Sequence, residues 1–132
     1  MPDREAMIST RKQTSQRHIQ TAIELFHRGR IDCAITLALA GEGILPTTPD
    51  PHLFRGLKDA APDLDLNLVG NWLKHPNEPD IVEIGEFEAV VMICRAITKF
   101  IAVFHQSCDP FEEFLTWADN AGHPLGRGPR PS

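Results

Sequence analysis

The side chains best suited to phosphate chemistry are grouped in one short segment, where Asn71, Lys74 and His75 surround Trp72 and Leu73. On a helix, Asn71 and His75 lie one turn apart and Lys74 neighbours both. An amide, a cation and an imidazole at one helix end could bind phosphate, with His75 as a general acid or base. The alternative is structural: Asn71 and Lys74 are hydrated, and His75 caps the helix C-terminus. The residue types alone place this alternative somewhat ahead.

Glu42 is the second candidate, because it is the only charged residue between Asp32 and Asp50 and shares a face with apolar residues. A carboxylate in that position needs hydrogen-bond donors to offset its desolvation. In one interpretation Glu42 accepts hydrogen bonds from the segment 71–75 or from the backbone amides of a loop, and so belongs to a ligand-binding site. In the other, it lies at the edge of the apolar face. The sequence leaves both open.

A metal site is not predicted. Glu24 and His27 have the Glu-x-x-His spacing of helical di-metal bundles, but such sites need a second pair of this kind, and the chain has none. The six histidines lack ligand spacing. We therefore expect Glu24 and His27 on a hydrated surface, and neither a metal nor another cofactor.

Composition limits the class of protein. A chain of 132 residues suits one domain, and its formal net charge of -5 argues against a general binder of the phosphate backbone. The longest apolar stretch, 87–104, is interrupted by Glu88, Arg95 and Lys99, which disfavours a membrane span. No apolar signal core occurs near the N-terminus, so the expected location is the cytoplasm, where the three cysteines would be buried, reduced thiols.

The periodicity of apolar residues predicts an all-α fold, an up-and-down helical bundle of about five helices. The predicted helices cover residues 15–28, 31–45, 64–74, 86–107 and 109–121, with a short helix or turn at 52–61. Residues 1–14 are predicted to form a flexible N-terminal arm, 15–121 the bundle domain, and 122–132 a disordered tail.

The helix near 86–107 is predicted to be the central one, because apolar residues cover most of its circumference. A narrow stripe contains Glu88, Arg95, Lys99 and Gln106. On the second helix, Ala34, Ala38 and Gly41 share one face and predict the close approach of another helix. Asp109 is the predicted N-cap of the last helix, with Glu112 completing a capping box.

Three segments together resemble a bacterial family of HEPN-like (higher eukaryotes and prokaryotes nucleotide-binding) proteins. They are residues 18–26 (HIQTAIELF), 35–45 (ITLALAGEGIL) and 71–75 (NWLKH), and their order and spacing fit across roughly residues 15–120. The resemblance implies an up-and-down helical bundle, often dimeric, with the sites lying between helices.

Active HEPN ribonucleases carry an arginine, usually followed by a polar residue, with a histidine four to six positions after the arginine. On this chain the polar residue matches Asn71 and the histidine His75, but Gly70 stands at the arginine position. The resemblance therefore implies a non-catalytic module, a homodimer, that binds a nucleotide, RNA or a protein partner. One alternative is a diverged, metal-independent endoribonuclease that uses His75, Lys74 and Asn71. A purely structural dimeric interaction protein is the other.

Overall fold

The structure, a computed structural model, describes residues 5–46, 72–73, 77 and 80–123. Within these residues the chain forms four α-helices and no strand, which confirms the predicted all-α class and the helical bundle. The helices are α1 (Arg11–His27), α2 (Ile31–Gly43), α3 (Glu86–Phe104) and α4 (Asp109–Asn120). The predicted helix at 64–74 lies outside the described residues except for Trp72 and Leu73, which are helical, and so does the predicted element at 52–61.

Helix α1 begins at Arg11, four residues earlier than the predicted start at residue 15. Its first turn is stabilised by a capping box, in which the Thr10 hydroxyl accepts from the Gln13 amide at 3.1 Å and the Gln13 side chain accepts from the Thr10 amide at 3.1 Å. The sequence instead predicts residues 11–14 as part of the flexible N-terminal arm, because their polar side chains add nothing to the apolar stripe that marks the rest of α1. In the structure they form its first turn.

The turn between α1 and α2 follows from Gly29, whose φ of +80° is readily available only to glycine. The Gly29 amide donates to the Phe26 carbonyl at 3.0 Å and the Arg30 amide donates to the Leu25 carbonyl at 2.9 Å. These two hydrogen bonds are those of a Schellman motif, which ends α1 and directs the chain into α2. The short connection makes α1 and α2 a helical hairpin.

The close approach predicted from the small residues of α2 is confirmed. Ala34, Ala38 and Gly41 are all buried, and the Ser15 hydroxyl of α1 donates to the Gly41 carbonyl at 2.7 Å. A Cβ atom at Gly41 would lie 2.9 Å from Ile19 Cγ1 and 3.2 Å from the Ser15 carbonyl oxygen. Only glycine therefore allows the two helices this separation.

Helix α3 supplies more of the described core than any other helix, as its apolar circumference predicts. Nine of its residues are buried: Ala89, Val90, Val91, Met92, Ile93, Cys94, Ala96, Ile97 and Phe100. It packs against α1, α2 and α4. The helix ends at Phe104, before the predicted end at residue 107, because His105 adopts the left-handed conformation with φ +53° while its amide donates to the Ile101 carbonyl at 2.8 Å.

The predicted cap of α4 is wrong in its register. Cys108 is the N-cap residue and makes no capping hydrogen bond through its side chain, whereas Asp109 is already the first helical residue. Glu112 accepts instead from the Ser107 hydroxyl at 2.7 Å. A carboxylate at Asp109 still stabilises the helix N-terminus through the helix dipole. The helix ends before Gly122, with φ +88°, and residues 124–132 of the predicted tail lie outside the described residues.

None of the helices in the described part of the chain has the length and apolar character needed to cross a membrane.

Replacement of Gly41 by alanine should lower the free energy of unfolding by about 1–2 kcal/mol. Overpacking against Ile19 and the Ser15 backbone should exceed the gain of about 1 kcal/mol in helix propensity. Gly43→Ala is the matched control, because no atom lies within 4 Å of its added Cβ. Urea unfolding followed by circular dichroism measures both. Equal stability changes in the two variants would contradict the close contact at Gly41.

Candidate functional site

Of the predicted site residues, Glu42 is the one that the structure describes. Asn71, Lys74 and His75 lie outside the described residues, as does Gly70 at the arginine position. Trp72 and Leu73, which lie between Asn71 and Lys74 in the sequence, are both half-buried. The convergence of Asn71, Lys74 and His75 at a helix end therefore stays a prediction.

Glu42 is buried in the last turn of α2 and paired with α3. Its side chain is 9% exposed, and Oε1 accepts from Arg95 Nε, on a side chain 26% exposed, at 2.9 Å. Lys99 Nζ donates to the main-chain carbonyl of Glu42 at 3.3 Å. A cation near the last carbonyls of a helix is also favoured by the helix dipole. Arg95 on α3 thus provides the donor that this buried carboxylate needs, while Lys99 satisfies the backbone.

The partner that sequence reasoning missed is Arg95. Arg95 and Lys99 lie one turn apart in the polar stripe of an otherwise apolar helix. A central helix whose surface is largely buried has little solvent for two cations, and the only charges in the second predicted helix are the carboxylates of Asp32 and Glu42. This complementarity was available as a signal, but it specifies a contact only once α2 and α3 are known to be neighbours.

An apolar groove lies beside α2, next to the predicted segment 71–75. Its volume is about 470 Å³, and we call it the α2 groove; its lining residues are Thr36, Leu39, Ala40, Gly43, Ile44 and Leu73. The Thr36 hydroxyl donates to the Asp32 carbonyl at 3.0 Å, so it is already satisfied within α2. The described lining thus offers apolar contact rather than hydrogen bonding through side chains, and Leu73 joins the groove to the predicted segment.

A second groove lies between α1 and α4, and it contains the Glu-x-x-His pair. This α1–α4 groove has a volume of about 430 Å³; its lining residues are Gln20, Ile23, Glu24, His27, Pro110, Glu113, Phe114 and Trp117. Glu24 and His27 are exposed, as predicted. Within the described chain, no three His, Cys, Asp or Glu side chains are grouped so as to hold a metal ion.

The three cysteines have different environments, although the sequence predicts all of them buried. All are free thiols; Cys94 is buried, Cys108 is half-buried and Cys33 is exposed. Burial, and to a smaller extent the negative charge of Asp119, raise the pKa of the Cys94 thiol to about 12. Cys33 is exposed because the apolar stripe of α2 passes through its neighbour Ala34, which is buried.

Replacement of Glu42 by glutamine should lower the free energy of unfolding by about 1–3 kcal/mol. The amide keeps the shape but removes the charge that compensates the partly buried guanidinium of Arg95. Chemical denaturation measures this change. The control is Glu83→Gln, because Glu83 is exposed, and its free energy of unfolding should stay within about 0.5 kcal/mol of that of the parent chain. A double-mutant cycle with Arg95→Met isolates the pair, and additive effects would contradict the coupling.

Thiol labelling near pH 8 should distinguish the three cysteines in the order Cys33, Cys108, Cys94. The thiolate is the reactive species, and Cys94 keeps its proton and is shielded until the chain unfolds. Because the pKa of Cys94 is raised in the folded state, its contribution to stability is complete below about pH 9 and is lost as the pH rises towards about 12. Mass spectrometry after timed labelling, with Cys33→Ser as the control, gives the order. Rapid labelling of Cys94 without denaturant would contradict its burial.

No protein-family model, curated protein or solved structure matches the chain. The resemblance to HEPN-like proteins therefore stays a prediction from the three sequence segments.

Proposed function

We propose that the chain is a cytoplasmic, non-catalytic, HEPN-like helical module that acts as a homodimer and binds a nucleotide, RNA or a protein partner. The observation that carries this proposal is the position of the α2 groove, which is lined by Leu73 from the middle of the segment 71–75. An apolar cavity with polar groups at its edge is the usual organisation of a binding site.

The chemistry of the α2 groove favours the flat, apolar part of a ligand. Leu39, Ala40, Ile44 and Leu73 provide the contact surface, and Gly43 leaves space, since no atom lies within 4 Å of the Cβ it lacks. A nucleotide base suits such a surface because stacking and apolar contact do not depend on its hydrogen-bonding pattern. The phosphate of the same ligand would be bound by Lys74 and His75, which follow Leu73 in the sequence.

Glu42 is given a supporting role in this proposal. Its carboxylate is compensated by Arg95, so it is not needed as a ligand group and instead fixes α2 against α3. The groove residues Leu39 and Ala40 lie in the same part of α2 and are therefore positioned by this ion pair. The non-catalytic assignment rests on Gly70, because glycine has no side chain to contact a scissile phosphate.

Filling the α2 groove should weaken ligand binding at least tenfold. In Ala40→Trp an indole occupies the space proposed for the base, whereas Ala121→Trp adds the same side chain at an exposed position outside both grooves. Fluorescence anisotropy with a labelled RNA oligonucleotide and titration with a fluorescent adenine nucleotide measure binding to the full chain. His75→Ala should weaken binding severalfold, and circular dichroism verifies the fold of each variant.

The same proteins decide between the alternatives. Cleavage of a mixed RNA in the presence of a chelator, abolished in His75→Ala, would overturn the non-catalytic assignment and identify a ribonuclease. Binding of neither probe, together with loss of a dimer in Ala40→Trp by light scattering, would identify an interaction protein that buries the α2 groove. Equal binding by Ala40→Trp and Ala121→Trp would exclude the α2 groove as the site.

A further inference from the structure

We infer that the α1–α4 groove is a second recognition site, which binds an arginine side chain presented by an extended segment of a partner protein. Among the described residues it shares no lining residue with the α2 groove, so the two sites can be tested independently.

Trp117 forms a fixed aromatic wall of the α1–α4 groove. Its ring centroid lies 5.3 Å from those of Phe26 and His27 and 5.5 Å from that of Phe114. Phe26 and Phe114 are buried, and they contact each other edge to face at 5.7 Å. Since rings from both helices hold Trp117, its position does not depend on a ligand, and the site is preformed.

Two carboxylates, one from each helix, give the groove its charge. Glu24 on α1 and Glu113 on α4 are both exposed, and neither side chain has a hydrogen bond or ion pair with any residue that the structure describes. Among the described residues that line the groove there is no lysine or arginine. Two carboxylates beside an aromatic wall attract a cation, which interacts with the face of an indole and with carboxylate oxygens.

An organic, planar cation fits this groove best. A metal ion is disfavoured, because no three potential ligands are grouped around one point in the described chain. A guanidinium is flat, stacks on an aromatic ring and donates paired hydrogen bonds to carboxylates, whereas an ammonium is a compact, strongly hydrated charge. The combination of Trp117 with Glu24 and Glu113 therefore matches arginine better than lysine.

The dimensions of the groove indicate a peptide rather than a free amino acid. From Gln20 to His27 the lining of α1 spans about 10 Å along the helix axis, which equals about three residues of an extended chain. The volume of about 430 Å³ leaves room for the residues beside the arginine. Pro110 and Ile23 supply apolar surface for them.

Nuclear magnetic resonance of the ¹⁵N-labelled full chain tests this inference through the indole N–H signal of Trp117, assigned with Trp117→Phe. The probes are acetyl-Gly-Arg-Gly-amide and the same peptide with lysine or citrulline at the centre. The arginine peptide should shift the Trp117 signal in a saturable way, and the citrulline peptide should bind at least tenfold more weakly. Binding by the lysine peptide as tight as that by the arginine peptide would overturn the preference for guanidinium.

Charge-removing variants complete the test. Glu24→Gln and Glu113→Gln should each weaken the arginine peptide severalfold, and the control Glu83→Gln should not. Undiminished binding by Glu113→Gln would overturn the site.

The chain itself carries Arg127 and Arg130 after the described residues. If replacing both by alanine shifts the Trp117 signal and tightens peptide binding, the occupant is the chain's own C-terminal segment, and the assignment to a partner protein is wrong.

Discussion

The contact between α1 and α2 at Gly41 determines where the ion-pair face and the groove face of α2 lie. Successive helical residues point about 100° apart, so placing Gly41 against α1 rotates its two neighbours in opposite directions. Glu42 then faces α3, where Arg95 meets it, and Ala40 faces the α2 groove. The absence of a side chain at one position thus fixes the helix separation, the ion pair and the proposed binding surface together.

The two grooves differ in the contacts that they offer to a ligand. The described lining of the α2 groove is largely apolar, and its predicted polar partners Asn71, Lys74 and His75 are close to Leu73 in the sequence. The α1–α4 groove combines the fixed ring of Trp117 with the carboxylates of Glu24 and Glu113. An apolar surface suits the base of a nucleotide, with the phosphate left to the predicted cation of Lys74, and an aromatic surface with anions suits arginine. The chain could therefore bring a nucleotide or RNA and a basic protein segment to the same small bundle.

The helices were predictable because each is defined by local periodicity, as in α3, whose apolar rows require no knowledge of its neighbours. The start of α1 was not predicted because its signal is the polar pair Thr10 and Gln13 rather than an apolar stripe. The Arg95 partner of Glu42 and the α1–α4 groove depend on which helices become neighbours. Glu24 and His27 look like ordinary surface on α1 alone, and they acquire a common environment only beside α4.

The left-handed backbone at His105 has a consequence for the evolution of these surfaces. A side chain in that conformation costs about 1–2 kcal/mol, and asparagine or glycine would relieve part of this cost. His105 is exposed and lines neither groove. Replacing His105 by asparagine or glycine would therefore raise the free energy of unfolding without changing a residue of either groove. This gain would offset destabilising substitutions elsewhere, so residues of both grooves could change while the bundle stays folded.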